Sequence, residues 1–280
     1  MIEITVGLPM YRSRYIGWLA LESLCRQKDI NFDWELLIME EKDDAIGLDV
    51  IRQYIPRLKE NRCVRLEYYS LEDWVPLSYK WKELADKSSD SSGFLLQAAD
   101  CYSQPHRLRE TYDLFKGAQD PDWVQSKKGF FYDIGSDSVA IFNHDLCLIS
   151  GIGGHATHPC SLNMAVKTSL LKKIEHHAVK KSVDSFLFKR LTELKGSPLE
   201  VGWNLSENWR YGVDTHGLNN ISLHRGHSIQ SHTAPFETTK DPMSSVLPQD
   251  MWEKLFQCQE AALQRKYYAL GRKKAGVYAV

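Results

Sequence analysis

An α/β fold on a mainly parallel sheet is what this 280-residue chain predicts, and three observations predict it. Apolar strand-like runs alternate with helix-periodic segments through roughly residues 1–118, in the order βαβαβαβ. Strands separated by helices need crossover connections, which make their sheet parallel and cover both its faces. The run Phe94-Leu95-Leu96-Gln97-Ala98-Ala99-Asp100 reads as a buried strand ending in one carboxylate, followed by a turn and by Pro105, which can open a helix. In open sheets of this kind, ligands sit outside the carboxyl ends of the strands. Beyond residue 118 the pattern changes to short strands and long irregular stretches.

The elements follow in order. Residues 2–8 form the first strand, and residues 13–27 the first helix, with Ile16, Leu19, Ala20 and Leu24 on one face. Trp34 to Met39 is the second strand. Residues 48–59 form an amphipathic helix through Val50, Ile51, Tyr54 and Leu58. Residues 63–69 are the third strand, and 78–88 the third helix, after Pro76 and with Ser78 able to cap it. Phe94 to Ala98 is the fourth strand. Short strands are predicted at 129–132, 138–142 and 146–150, continuing the sheet with antiparallel edges, and Gly135-Ser136-Asp137 is the turn between the first two. Residues 151–155 read as a flexible loop and 162–167 as a further strand. Helices are expected at 168–177 and 183–195, irregular chain at 196–246, and a long C-terminal helix at 248–270 before the basic residues Arg272, Lys273 and Lys274.

Composition narrows the function. A hydrophobic fraction of 43% and a charged fraction of 25% suit a soluble globular protein with a core of normal size. A net charge of −1 argues against a broad nucleic-acid footprint, which is usually basic. The six cysteines, at 25, 63, 101, 147, 160 and 258, match no zinc or C-x-x-C spacing and are expected to be thiols in a reducing compartment. Met1-Ile2-Glu3-Ile4 leads straight into a strand, so no secretory signal is expected. No run approaches the ~18 apolar residues of a membrane span. The expected location is cytoplasmic, with association at a membrane surface open.

Candidate residues fall at the ends of elements. Pro9-Met10-Tyr11-Arg12 follows the first strand, where an aromatic ring can stack a base and a guanidinium can pair with phosphate. Glu40 and Glu41 end the second strand, where a carboxylate can accept from a base N–H or a ribose hydroxyl. Lys80 could approach a diphosphate, with Trp81 packed under the sheet. Asp100 could hold Mg²⁺ or Mn²⁺, because such an ion keeps waters and uses substrate phosphate oxygens. Asp184 stands at a helix start, where a carboxylate can take a proton from an acceptor hydroxyl or simply favour the helix dipole. His216, His224, His227 and His232 lie at spacings of 8, 3 and 5, which is no zinc-protease pattern; one could be a metal ligand. His155 and His158 are equally open. His176 and His177 read as helix-end residues.

Taken together, this order of motifs resembles the family 2 glycosyltransferases of the GT-A fold. The resemblance covers roughly residues 3–227 and is strongest at 4–41, 94–108 and 163–191. It implies a GT-A, Rossmann-like mixed sheet with a C-terminal helical extension. Residues 1–118 would be the nucleotide-sugar-binding half, 119–232 the acceptor-binding and catalytic half, and 233–280 a linker, long helix and basic tail. Pro9, Tyr11, Arg12, Glu40 and Glu41 would hold the nucleotide. The family's Asp-x-Asp corresponds to Ala98-Ala99-Asp100, so its first carboxylate is Ala98, beside Gln97. The family's Glu-Asp pair corresponds to Val183-Asp184, with Asp184 the base. A late histidine, His216 with His224 or His227 as alternates, would complete the metal site.

The implied activity is inverting transfer from a nucleotide-diphosphate sugar, a UDP-sugar being the expected donor, to a glycan, lipid-linked or other hydroxyl acceptor. Mn²⁺ or Mg²⁺ would sit at Asp100. Three alternatives stand beside it. The eroded Asp-x-Asp suggests a non-catalytic binding or scaffold protein. A nucleotidyltransferase shares the strand order but usually has a Gly-rich loop after the first strand, and Pro9 to Arg14 holds no glycine. A glycosyltransferase acting on modified nucleic acid is permitted by the basic tail and by Arg107 and Arg109, and is disfavoured by net charge. The 248–270 helix could pack on its own domain or form an oligomer.

Overall fold

The computed structural model describes residues 1–14, 17–99, 101–103, 105–126, 128–133, 138–143, 164–176, 183–196, 199–201, 211–214, 236–239 and 250. The strands are β1 (Ile2–Met10), β2 (Asp33–Glu41), β3 (Cys63–Leu71), β4 (Gly93–Leu96), β5 (Cys101–Tyr102) and β6 (Trp123–Ser126). They continue with β7 (Lys128–Asp133), β8 (Ser138–Asn143), β9 (Met164–Val166), β10 (Leu199–Val201), β11 (Tyr211–Asp214) and β12 (Phe236–Thr239). The helices are α1 (Gly17–Cys25), α2 (Leu48–Arg52), α3 (Ile55–Glu60), α4 (Leu77–Lys87), α5 (Arg107–Lys116), α6 (Thr168–Leu171) and α7 (Val183–Lys195).

Among the described residues, seven strands form the main sheet in the order β10-β6-β9-β4-β1-β2-β3. β3, β2, β1 and β4 run parallel, β9 runs against both β4 and β6, and β10 is parallel to β6. β2 is buried at every position after Asp33. That is the signature of a parallel strand covered on both faces. Alternate side chains accordingly feed two cores. Leu36 and Ile38 join Leu19, Leu24, Leu58, Leu108 and Phe115 from α1, α3 and α5. Leu37 and Met39 join Phe94, Trp81, Leu84, Leu171, Leu187 and Leu191 on the opposite face, beneath α4, α6 and α7. Gly7 is required on this second face: a Cβ there would lie 2.3 Å from the Phe94 ring, which itself packs edge-on against Trp81.

Several expectations are corrected. The helix over 48–59 is two helices, because Pro56 in the first turn of α3 offers no N–H to the Arg52 carbonyl and its ring crowds that carbonyl. Pro76 takes the capping position of α4, without a side-chain cap, and Ser78 is buried inside its first turn. The helix predicted at 168–177 ends at Leu171. β7 and β8 pair as predicted but do not continue the main sheet. Together with β5, β11 and β12 they form a second sheet, ordered β12-β8-β7-β11-β5 among the described residues. The place beside β4 is taken by β9 and then β6, a strand not read from the sequence. The stretch 196–246, expected to be irregular, contains β10, β11 and β12, each three or four residues long.

The strand expected at 146–150, the loop at 151–155 and the helix at 248–270 lie outside the described residues, apart from Asp250, which pairs with Arg26, the residue after α1. Cys25, Cys63 and Cys101 are thiols rather than disulfide halves. Cys147, Cys160 and Cys258 are outside the described residues. Among the described residues no helix is long and apolar enough to cross a membrane.

Candidate functional site

The chain runs from β1 outward through β2 and β3 on one side, then returns to place β4 on the other side of β1. Such a reversal opens a crevice at the carboxyl ends of the strands. The β1–β4 pairing stops at Gly7 and Leu96, while β1 stays paired with β2 as far as Met10 and Glu40. Pro9 therefore stands where β4 has ended, and its missing N–H costs no ladder bond on that side. Tyr11 emerges 44% exposed at the mouth. The Arg12 guanidinium lies 5.1 Å from the Tyr11 ring centroid, and its Nε donates to Asp43 at 2.8 Å. Arg12 and Asp44 both hold positive φ, 49° and 52°, and the Arg14 N–H donates to the Asp44 carbonyl at 3.0 Å. Two adjoining loops are thus locked in backbone conformations that L-residues seldom adopt, a form of strain that clusters at ligand sites.

Glu40 and Glu41 point to different tasks. Glu40 is fully buried and accepts from the Ile46 N–H at 2.9 Å, the Gly47 N–H at 3.2 Å, the Tyr68 hydroxyl at 3.1 Å and the Ser13 hydroxyl. It shapes the loop after β2, in which Asp43 is exposed and Asp44 half-buried. Burial and then the Glu40 charge push the Tyr68 hydroxyl up to about 12, which keeps it a donor. Glu41 accepts from the Val75 N–H at 3.2 Å and from the Lys80 ammonium. Lys80 also donates to the Met10 carbonyl at 2.8 Å and lies 5.8 Å from the Tyr11 ring centroid. With Lys80 2% and Glu41 1% exposed, this is a buried ion pair that ties α4 to the ends of β1 and β2. Burial pushes the Lys80 ammonium below the ordinary lysine range, against the opposing pull of Glu41.

The structure brings Pro9, Tyr11, Arg12, Glu40, Glu41 and Lys80 to one edge of the sheet. It adds residues that sequence reasoning assigned no role. Asp43 holds Arg12, and the exposed aromatics Trp74 and Tyr79 precede Val75 and Lys80 in the chain. Their signal was available: Trp74 is a large aromatic in a polar loop at the same strand edge.

Asp100 and His216 lie outside the described residues, as do His155, His158, His177, His224, His227 and His232. Their described neighbours are informative. A turn spans Ala98–Cys101, closed by the Cys101 N–H to the Ala98 carbonyl at 3.3 Å. Directly after Asp100, β5 pairs with β11 through Cys101–Gly212 and Tyr102–Tyr211. β11 ends at Asp214, two residues before His216. The segments leading to Asp100 and to His216 are therefore hydrogen-bonded neighbours. A carboxylate, an imidazole and phosphate oxygens form a donor set that suits Mn²⁺ or Mg²⁺. Among the described residues no group of three acidic, histidine or cysteine side chains could hold a metal. Asp184 is the second residue of α7, whose Val183, Leu187 and Leu191 are buried in the second core; its side chain lies outside what is described. The His176 ring packs 6.0 Å from Phe186.

No protein-family model matches the chain, and comparison with curated proteins gives no match. Solved structures do match. TarS of S. aureus superposes with a TM-score of 0.55 at 14% identity, over 77% of this chain and 37% of TarS. A shorter form of TarS in complex with UDP gives 0.54 at 14% identity, over 77% of this chain and 62% of that one. Its complex with UDP-GlcNAc gives 0.53 at 14% identity, over 76% and 58%. The fold is GT-A. The resemblance stated from the motifs and the superposition thus agree on architecture. This chain spans only 37% to 62% of the length of these GT-A structures. At such identity the GT-A likeness carries the fold, and the activity is taken up next.

Proposed function

We propose that the protein is a glycosyltransferase that moves a sugar from a nucleotide-diphosphate sugar, with UDP the expected nucleotide, to an acceptor hydroxyl with inversion. The observation that carries this is the crevice at the β1–β4 reversal of a GT-A fold, with an exposed aromatic ring, a guanidinium and a buried Lys–Glu pair gathered at its mouth. Superposition on a structure that holds UDP supports the choice of nucleotide.

In this reading Tyr11 stacks the base and Arg12 exchanges part of its contact with Asp43 for a phosphate oxygen. Pro9 and Glu40 hold the two loops in shape. Lys80 and Glu41 fix the Met10 carbonyl, and with it the ring of Tyr11, while Lys80 lends positive charge from beneath. Asp100 and His216 would hold Mn²⁺ or Mg²⁺, which when bound supplies Lewis-acid stabilisation of the departing diphosphate. Asp184 accepts the proton of the acceptor hydroxyl as that oxygen attacks the anomeric carbon from the side opposite the diphosphate. The acceptor is a glycan, lipid-linked or other hydroxyl compound, bound by the 119–232 half, and the basic C-terminal tail supports placement at an anionic surface.

Incubation with UDP-sugars tests the activity. Release of UDP with an acceptor hydroxyl present, and a product of inverted anomeric configuration, is expected. UDP binding without any turnover across a panel of UDP-sugars and saccharide acceptors would favour a non-catalytic binding protein.

A further inference from the structure

Two buried polar side chains outside that site hold the chain on either side of position 100, at Ala98 and Cys101. Gln97 follows β4 and is fully buried; Arg107, in the first turn of α5, is 5% exposed. The Gln97 amide nitrogen donates to the Ala98 carbonyl at 3.0 Å and to the Cys101 carbonyl at 2.8 Å. One amide therefore clips the carbonyls on both sides of position 100, across the same turn that the Cys101 N–H closes. The amide oxygen accepts from Arg107 at 3.0 Å and from the Ser103 hydroxyl. Arg107 donates further to Ser103 Oγ at 3.1 Å and to the Leu96 carbonyl at 3.1 Å. A single guanidinium thus joins the end of β4, the amide that spans the turn and the residue at the turn's exit, and anchors all three on α5.

We propose that Gln97 and Arg107 are positioning residues that fix the Ala98–Cys101 turn, and with it Asp100, for binding a divalent cation on the donor diphosphate. The proposal rests on the donor-site reading above. With Ala98 in place of the first carboxylate of Asp-x-Asp, one carboxylate at the turn must serve, and its placement depends on the backbone that carries it. Without the Gln97 amide the Cys101 carbonyl would lose this donor and the Ala98 carbonyl would be left to the Cys101 N–H, so the turn would be more weakly held. Residues that orient a metal ligand without touching the metal typically matter by ~10–100-fold in metal affinity.

Gln97→Glu separates the functions of the amide. A glutamate keeps an acceptor for Arg107 and Ser103 but has no N–H for the two carbonyls. The experiment is a Mn²⁺ titration at fixed UDP, read by thermal shift, on the wild type, Gln97→Glu, Arg107→Lys and Ser103→Ala, with the unliganded melting temperature of each recorded. A rise of about 10–100-fold in the Mn²⁺ concentration for half-maximal stabilisation is expected in Gln97→Glu. Arg107→Lys should shift the same way. If Gln97→Glu does not fold, Ser103→Ala, which removes one hydroxyl and no charge, must still raise the Mn²⁺ requirement. Folded variants that respond to Mn²⁺ as the wild type does would overturn the proposal and leave the donor site standing. A wild type on which Mn²⁺ has no effect with any nucleotide would remove the metal reading, and this proposal with it.

Discussion

Asp184→Asn is expected to lower sugar transfer by about 10²–10⁴-fold, the usual contribution of a general base, while UDP binding stays at the wild-type level. Asparagine keeps the size of the side chain and can still accept a hydrogen bond at the start of α7, but it cannot take up a proton. The helix that carries it is anchored by Val183, Leu187 and Leu191 in the second core, so the substitution has little means of disturbing the nucleotide loops across the sheet. Transfer rate and calorimetric UDP affinity, measured on the same preparations, check this. Transfer retained in the variant would remove Asp184 from the role of base. Loss of transfer together with loss of UDP binding would point instead to a folding role for the start of α7.

The second large effect is on stability. Lys80→Met leaves the Glu41 carboxylate buried with the Val75 N–H and without its cation. Removing one partner of a buried ion pair typically costs ~3–5 kcal/mol, because the remaining charge is uncompensated. Urea unfolding should show a loss of that size. The double variant Lys80→Met/Glu41→Gln should recover most of it, since two neutral side chains no longer strand a charge. If the single variant is as stable as the wild type, the pair is not the brace that the geometry indicates. UDP binding should fall in both variants, because the Met10 carbonyl loses its donor and Tyr11 its fixed base. That outcome distinguishes a brace for the nucleotide loop from a purely structural pair.

The first half of the fold was legible because its strands are long apolar runs and its helices carry a clear period. β1 to β4, α1, the helical stretch that divides into α2 and α3, and α4 follow from Leu36-Leu37-Ile38-Met39, Phe94-Leu95-Leu96 and the helical faces between the strands, while α5 was signalled only by Pro105. The break at Pro56 was also present in the sequence, and amphipathic spacing on both sides of it hid the break. β6, β10, β11 and β12 were not legible, since three or four residues show no periodicity, and their pairing is decided by the sheet they join. The second sheet could not be foreseen for the same reason: β5 is two residues long.

Position at a strand end singled out Tyr11, Arg12 and Glu41, and Lys80 came from the start of the helix before the fourth strand. Position could not show that Glu40 is engaged by Ser13, Ile46, Gly47 and Tyr68, because those partners come from three separate segments. Gln97 read as the neighbour of a missing carboxylate. Only the fold brings Arg107 back onto it.

The most direct test of the donor site is the thermal shift of the full chain against UDP, GDP, CDP and TDP, each with and without Mn²⁺. The account predicts stabilisation by UDP, strengthened by Mn²⁺, with the Mn²⁺ increment lost in Asp100→Ala. No shift with any of the four nucleotides, with or without metal, would contradict it.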